Sequence, residues 1–135
     1  MDGSALLLLH RVVQLADNAF VNSLCTVDLS PREFCVLRAV AQPEGLSQTA
    51  IMNATGFDRS SAGDLVGRMV SKGWLRRRRQ QRDHRLYAVR LTPDGRTALE
   101  CGVLAAVSAE WLLLSALSRD QKSNFYITLM AIVEG

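Results

Sequence analysis

The sequence has 135 residues and 48% hydrophobic content, which suits one domain with a real core, alone or with dimerisation arms, and rules out a disordered tail. The net charge of +3 and pI near 9.1 are only moderately basic, so the position of the charge matters more than its total. Cys25, Cys35 and Cys101 show no C-x-x-C spacing and the two histidines lie far apart, so no metal site or cofactor is expected and a reducing cytoplasm is the simplest location.

The opening MDGSALLLL lacks a basic leader region and is interrupted by His10 and Arg11, so it reads as neither signal peptide nor membrane span. Cys101 to Leu117 is short for a span and carries Glu110, so no membrane is expected. From Ala5 to about Leu24, Leu8, Leu9, Val12, Val13, Leu15, Ala16, Ala19 and Phe20 recur at helical steps and predict a helix with a broad apolar stripe. Either a partner subunit or the chain's own core must cover it. Ser30, Pro31 and Glu33 form a capping box with proline at the first helical position, predicting a second helix from Pro31 to about Ala41 with Phe34, Val36, Leu37 and Val40 inward. Ser47 caps a short third helix, Gln48 to Ala54, which stops at Thr55-Gly56. Asp58 caps a fourth, Arg59 to Ser71, closed by Gly73, with Leu65, Val66, Met69 and Val70 as its buried stripe. Two short helices joined through a glycine make a helix-turn-helix pattern, whose second helix would enter the major groove of DNA.

The stretch Gly73 to Gly95 then gathers most of the charge. Seven arginines between Arg76 and Arg90 face one acid, Asp83, so this segment carries +6 and the remainder is slightly acidic. Tyr87, Val89 and Leu91 alternate with Leu86, Ala88 and Arg90 as in a half-buried strand, and Gln80 to His84 is turn material, so the arginines sit on a β-hairpin. Such concentrated charge is suited to phosphates, because the guanidinium fork donates two parallel hydrogen bonds. Thr92 and Pro93 open a fifth helix that is apolar nearly all round and should be buried on most sides, and Ser118 with Gln121 opens a last helix to about Val133, with Phe125, Leu129 and Ile132 in phase. The expected fold is mainly α with a small β-hairpin, an α+β winged helix-turn-helix. Its parts are an N-terminal dimerisation helix (1–28), a DNA-binding lobe (29–95) and C-terminal dimerisation helices (96–135), in one continuous domain. No glycine-rich phosphate loop, nucleophile elbow or acid and base pair marks an enzyme. A winged-helix protein-interaction module without DNA binding is the alternative, and it leaves the wing arginines unexplained.

The runs LSPREFCVLRAV and LSQTAIMNATGFDRSSAGDLVGRMVSKGWLRRRRQQRDHRLYAVRLTPDG resemble the MarR family of bacterial transcription regulators over roughly Leu29 to Leu99, most specifically in Asp83-His84-Arg85 followed by the strand and LTPDG. The sequence departs from that family at Gly63-Asp64, where a hydroxyl or basic residue is frequent. The resemblance implies a homodimeric repressor on pseudo-palindromic double-stranded DNA, released by a small aromatic or phenolic effector or by thiol oxidation. It further implies that Arg85 enters the minor groove and that Asp83 orients it. The candidate DNA contacts are Ser47, Gln48 and Thr49, then Arg59, Ser60, Ser61, Asp64 and Arg68 on the reading helix, and Arg78, Arg82, Asp83, His84 and Arg85 on the wing. Trp111 is a candidate for lining an effector cleft, and Cys25 for a peroxide-sensing thiol. No basic residue near Cys25 in sequence lowers its pKa, so an incidental or buried thiol is its first reading, and Cys35 and Cys101 read as packing residues.

Overall fold

A computed structural model describes residues 3–24, 26–79 and 87–135. Six helices and one hairpin follow in order: α1 (Ala5–Ser23), α2 (Pro31–Val40), α3 (Gln48–Thr55), α4 (Arg59–Ser71), β1 (Leu75–Arg79), β2 (Tyr87–Leu91), α5 (Pro93–Leu113) and α6 (Arg119–Glu134). Short-range chemistry sets nearly every boundary. The Ser30 hydroxyl accepts from the Glu33 N–H while the Glu33 carboxylate accepts from the Ser30 N–H, and Ser118 with Gln121 repeats the exchange at α6. Ser47, Asp58 and Thr92 each accept from the backbone three residues on, satisfying donors that a helix start otherwise leaves open. Gly56, at φ +78, closes α3 in the left-handed conformation that costs other residues about 1 kcal/mol or more.

The core lies where α2, α3 and α4 meet. Val36, Leu37, Val40, Ile51, Val66 and Met69 are fully buried there. Leu75 and Val89 close the hairpin side and Ala98 and Leu99 bring in α5. The Phe20 and Phe34 rings, with centroids 5.1 Å apart, tie α1 to α2. Leu46 exchanges both backbone hydrogen bonds with Val89, at 2.9 and 2.7 Å, adding a one-residue third strand to the hairpin. Among the described residues no helix is long and apolar enough to cross a membrane, and no group of three or more His, Cys, Asp or Glu could hold a metal ion.

One capping residue does more than cap. Glu33 is only 2% exposed, and the Lys72 ammonium at the end of α4 straddles its carboxylate, 3.0 Å from Oε2 as an ion pair and 3.3 Å from Oε1 as a hydrogen bond. Oε2 has no hydrogen bond of its own, so the ion contact alone compensates it. Lys72 also donates to the Asp28 carbonyl and lies 4.5 Å over the Trp74 ring, so it joins the α1–α2 link, α2 and the base of the wing. Burial alone would raise the Glu33 pKa, but the Ser30 N–H, Lys72 and the Ser30 hydroxyl outweigh it and hold the group below its ordinary 4.5. A carboxyl with a depressed folded pKa contributes stability above its unfolded pKa and loses it as pH falls through the folded value. Thermal stability of the parent should therefore fall as pH drops below about 4.5, and a melting series of Glu33→Ala against the parent should show a shallower decline. At neutral pH the same variant should lose about 2–4 kcal/mol, since it strips the cap and unpairs Lys72.

Two expectations need correction, one for Cys35 and one for the second strand. Cys35 is exposed, not packed, because Glu33, Val36, Leu37 and Val40 occupy the inward stripe of α2 and Cys35 falls between them on the outer side. Although its surface is accessible, the thiol is partly shielded from water, and this, with Asp17, pushes its pKa up against the pull of Arg32. Tyr87 is 45% exposed and Ala88 is buried, so the clean alternation expected of the second strand holds only for Val89 to Leu91, at the hairpin base where the core reaches. Within one chain α5 is buried only along Gly95, Ala98, Leu99, Gly102, Ala105 and Ala109, the small-residue edge against which α1 and α2 pack. Its other side leaves Leu104, Val107, Trp111 and Leu112 exposed. Among the described residues α6 has none fully buried and makes no extensive contact with another element of its chain.

Candidate nucleic-acid interface

The reading surface is built on a tight corner. Thr55 donates its hydroxyl to the Ile51 carbonyl and accepts from the Phe57 N–H, Gly56 turns the chain, and Asp58 Oδ1 accepts from the Ser61 N–H at 2.7 Å to start α4. That bond, helped by the Ser61 hydroxyl, holds the Asp58 carboxyl below its usual range. Phe57 packs against the core with the Arg32 guanidinium 4.6 Å from its ring centroid, which anchors the corner to α2. Ala62, Leu65, Val66 and Met69 face inward, so the opposite side of α4 is free.

That free side divides into two flanks. Gly63 and Gly67 lie on one. A methyl at Gly63 would sit 3.4 Å from the Gln48 amide of α3, and one at Gly67 would sit 4.0 Å from the Arg77 guanidinium of the wing. The absence of side chains there brings α3, α4 and the wing together. Ser61, Asp64 and Arg68 lie on the other flank, where with Asp17, Ser30 and Arg32 they line a cleft of about 380 Å³ between α1, α2 and α4. Arg59 and Ser60 are exposed at the start of α4 and Thr49 is exposed on α3, whereas the Ser47 hydroxyl is engaged as the α3 cap.

The hairpin register pairs Leu75 with Leu91, Arg76 with Arg90, Arg77 with Val89, Arg78 with Ala88 and Arg79 with Tyr87. Alternation therefore puts Arg77 and Arg79 on the face shared with Leu75, Val89 and Leu91, and Arg76, Arg78 and Arg90 on the outer face. Arg79 Nε donates to the Tyr87 hydroxyl at 3.1 Å and its guanidinium lies 5.7 Å from that ring. Among the described residues the only ion pairs are those of Lys72, so these five wing arginines project uncompensated positive charge. Arg82, Asp83, His84 and Arg85 lie outside the described residues, as does Cys25. Trp111 is 70% exposed, and the small cleft beneath α5 is lined instead by Ala16, Phe20, Ala106, Ala109, Glu110 and Leu113. Arg77 and Arg32 were not singled out from the sequence. Strand alternation within Arg76 to Arg79 could have separated Arg77, but nothing local marks Arg32.

The MarR family model matches residues 27–86. The chain is 30% identical over 119 residues to the HTH-type transcriptional regulator PecS of Dickeya dadantii, covering 86% of this chain and 72% of that protein. Among solved structures it resembles a cysteine-to-serine mutant of Escherichia coli MarR complexed with operator DNA, at 25% identity and TM-score 0.84 over 93% of this chain and 90% of the other. It also shares its fold with Bordetella bronchiseptica BpsR, at 21% identity and TM-score 0.88 over 100% and 97%; in that protein, DNA binding is regulated by 6-hydroxynicotinic acid. The family comprises transcriptional regulators and not enzymes. With helix pair, wing and family model coinciding on one lobe, the chain belongs to the MarR family of winged helix-turn-helix DNA-binding transcriptional regulators.

Proposed function

We propose that the protein is a cytoplasmic homodimeric repressor that binds a pseudo-palindromic duplex, with α4 in the major groove and the wing in the adjacent minor groove. The observation that carries this reading is the uncompensated arginine hairpin set beside an α4 that exposes Arg59, Ser60, Asp64 and Arg68. Arg59, Ser60, Ser61, Asp64 and Arg68 would face the groove, Gln48 and Thr49 the backbone beside it, and Arg78 a phosphate, with Ser47 holding α3 in place. At the wing tip, Asp83 would aim Arg85, with Arg82 and His84 near phosphate. The duplex should carry half-sites about one helical turn, roughly 10 bp, apart.

Binding of single variants to a selected site and a random duplex at two salt concentrations tests this. Arg85→Ala should lose about 1–3 kcal/mol on the selected site, because an arginine in a narrow minor groove gains from its enhanced negative potential. Asp83→Ala should also weaken binding, although it adds net positive charge, if the acid directs Arg85. Arg78→Ala should weaken both duplexes alike and lower the salt slope by about one unit. An Arg85→Ala variant that binds both duplexes as the parent does would replace this reading with the protein-interaction one.

The proposal extends to an effector, an aromatic carboxylate or phenol, in the cleft between α1, α2 and α4. Arg32 and Arg68 offer positive charge there beside the acids Asp17 and Asp64, and Ser61, Asp64 and Arg68 belong to the reading helix, so occupancy would act on α4 directly. Such a ligand should raise the melting temperature and weaken DNA binding. If a panel of these compounds moves neither, and peroxide releases DNA from the parent but not from Cys25→Ser, control passes to the thiol.

A further inference from the structure

The outer face of the wing carries an arginine cluster of which the DNA reading above uses only Arg78. Arg76 and Arg90 stand directly opposite each other across the strands, Arg78 is next on the same face, and Arg96, near the start of α5, converges on them. With Gln42, Pro43 and Leu91 they line a cavity of about 230 Å³. Like charges placed directly opposite on a sheet are destabilising, and no acid among the described residues pairs with any of the four. The cavity also has a built wall. Gly45, at φ +74, lets the Gln42–Gly45 turn close over the strand, where a methyl would strike the Val89 carbonyl oxygen and come 2.7 Å from Arg90 Cγ. That turn therefore lies close against the Arg90 stem, while the residue itself remains exposed.

We infer that this cavity binds a compact oligophosphate anion, such as the di- or triphosphate group of a nucleotide, with Arg76, Arg90 and Arg96 as its holding residues. Planar guanidinium forks from three elements can each donate two hydrogen bonds to different phosphate oxygens, and the anion relieves the Arg76–Arg90 repulsion. An open concave site bordered by a turn, two strands and a helix start suits a small multivalent anion better than the convex surface of a duplex. An anion held there would also reduce the positive field of the wing, weakening its attraction for DNA. The inference does not depend on the DNA reading, because anion binding is measured on the free protein.

The test is calorimetric titration of the full chain with sodium tripolyphosphate at fixed ionic strength, with sulfate as comparator. The expected result is one tripolyphosphate per subunit, bound more tightly than sulfate. Arg90→Gln and Arg96→Gln should each weaken it on the order of tenfold. Arg77→Gln removes the same charge from the other face and should change it by less than about twofold. Arg90→Gln should melt no lower than the parent, since it removes a repulsion; should it fail to fold, Arg96→Gln decides. Equal losses in all three variants would mean diffuse attraction to the wing and overturn the assignment. So would tripolyphosphate binding no tighter than sulfate. In the DNA arm, Arg96→Gln should bind a short operator duplex and one with extended flanks as the parent does. A loss confined to the flanked duplex would assign the cluster to the DNA backbone and also overturn the free-anion site.

Discussion

The double variant Ile127→Asp with Met130→Asp is expected to leave the chain monomeric at low micromolar concentration and to abolish tight binding to a two-half-site operator. α6 exposes Tyr126, Ile127, Ile132 and Val133, the last 81% accessible, and only Phe125 is even half-buried. α1 and α5 leave Leu6, Leu7, Val13, Leu104, Val107, Trp111 and Leu112 open as well. Exposed apolar surface on that scale marks an interaction site, and a second copy offering the same helices would cover it symmetrically. Ile127 and Met130 are one turn apart and share a face of α6. Each aspartate placed in a dry interface without a partner would cost about 3–5 kcal/mol. Losing the second half-site then removes an avidity factor of roughly 10²–10⁴. Sedimentation and DNA titration read the two effects. Because α6 supports no other element, the main thermal transition of the winged lobe should persist, which separates dissociation from unfolding. A variant that sediments as the parent does would remove α6 from the dimer interface.

The second large effect is expected from Gly95→Ala. Gly95 is buried in the first turn of α5, and a methyl there would strike the Trp74 carbonyl oxygen and lie 2.8 Å from its carbonyl carbon. That backbone cannot step aside. The Trp74 carbonyl accepts from the Thr92 N–H at 3.0 Å, and the Thr92 hydroxyl donates to the Gly73 carbonyl at 2.5 Å while accepting from the Gly95 N–H at 3.0 Å. The start of α5, the corner after α4 and the base of the wing thus form one hydrogen-bonded knot. Opening it should cost about 3 kcal/mol or more and lower the melting temperature by roughly 10–20 °C. DNA affinity should fall with it, since β1 begins at that corner. Gly56→Ala is the control: its left-handed φ of +78 strains alanine, but nothing lies within 4 Å of the new methyl, so the expected cost is only about 1 kcal/mol. Equal costs at the two glycines would show that close approach is not what limits Gly95.

What the amino-acid order determined by itself was everything governed by neighbours three or four residues apart. Ser30 with Glu33, Ser47, Asp58, Thr92 with Pro93, and Ser118 with Gln121 start helices because a side-chain oxygen reaches a nearby N–H. Gly56 and Gly73 end them because only glycine enters the left-handed region cheaply. The basic hairpin was legible for the same reason, as charge and alternation are both local.

Tertiary structure decided whatever depends on residues far apart in the chain. Glu33 reads as a cap in the sequence, but its burial against Lys72 required α4 to return to α2. Arg32 and Arg68 share a cleft only because α4 packs along the start of α2, and Arg96 joins the wing only because α5 folds back beside it. The breadth of the apolar stripe on α5 indicated burial on most sides, yet hydrophobicity does not say whether the covering surface comes from the same chain or another. The fold answers the first half: one edge of α5 carries glycine, alanine and Leu99 against its own chain, and Leu104, Val107, Trp111 and Leu112 point away from it. Local hydrogen bonds are set by residue order alone, whereas close approach and charge convergence are set by how helices pack in space.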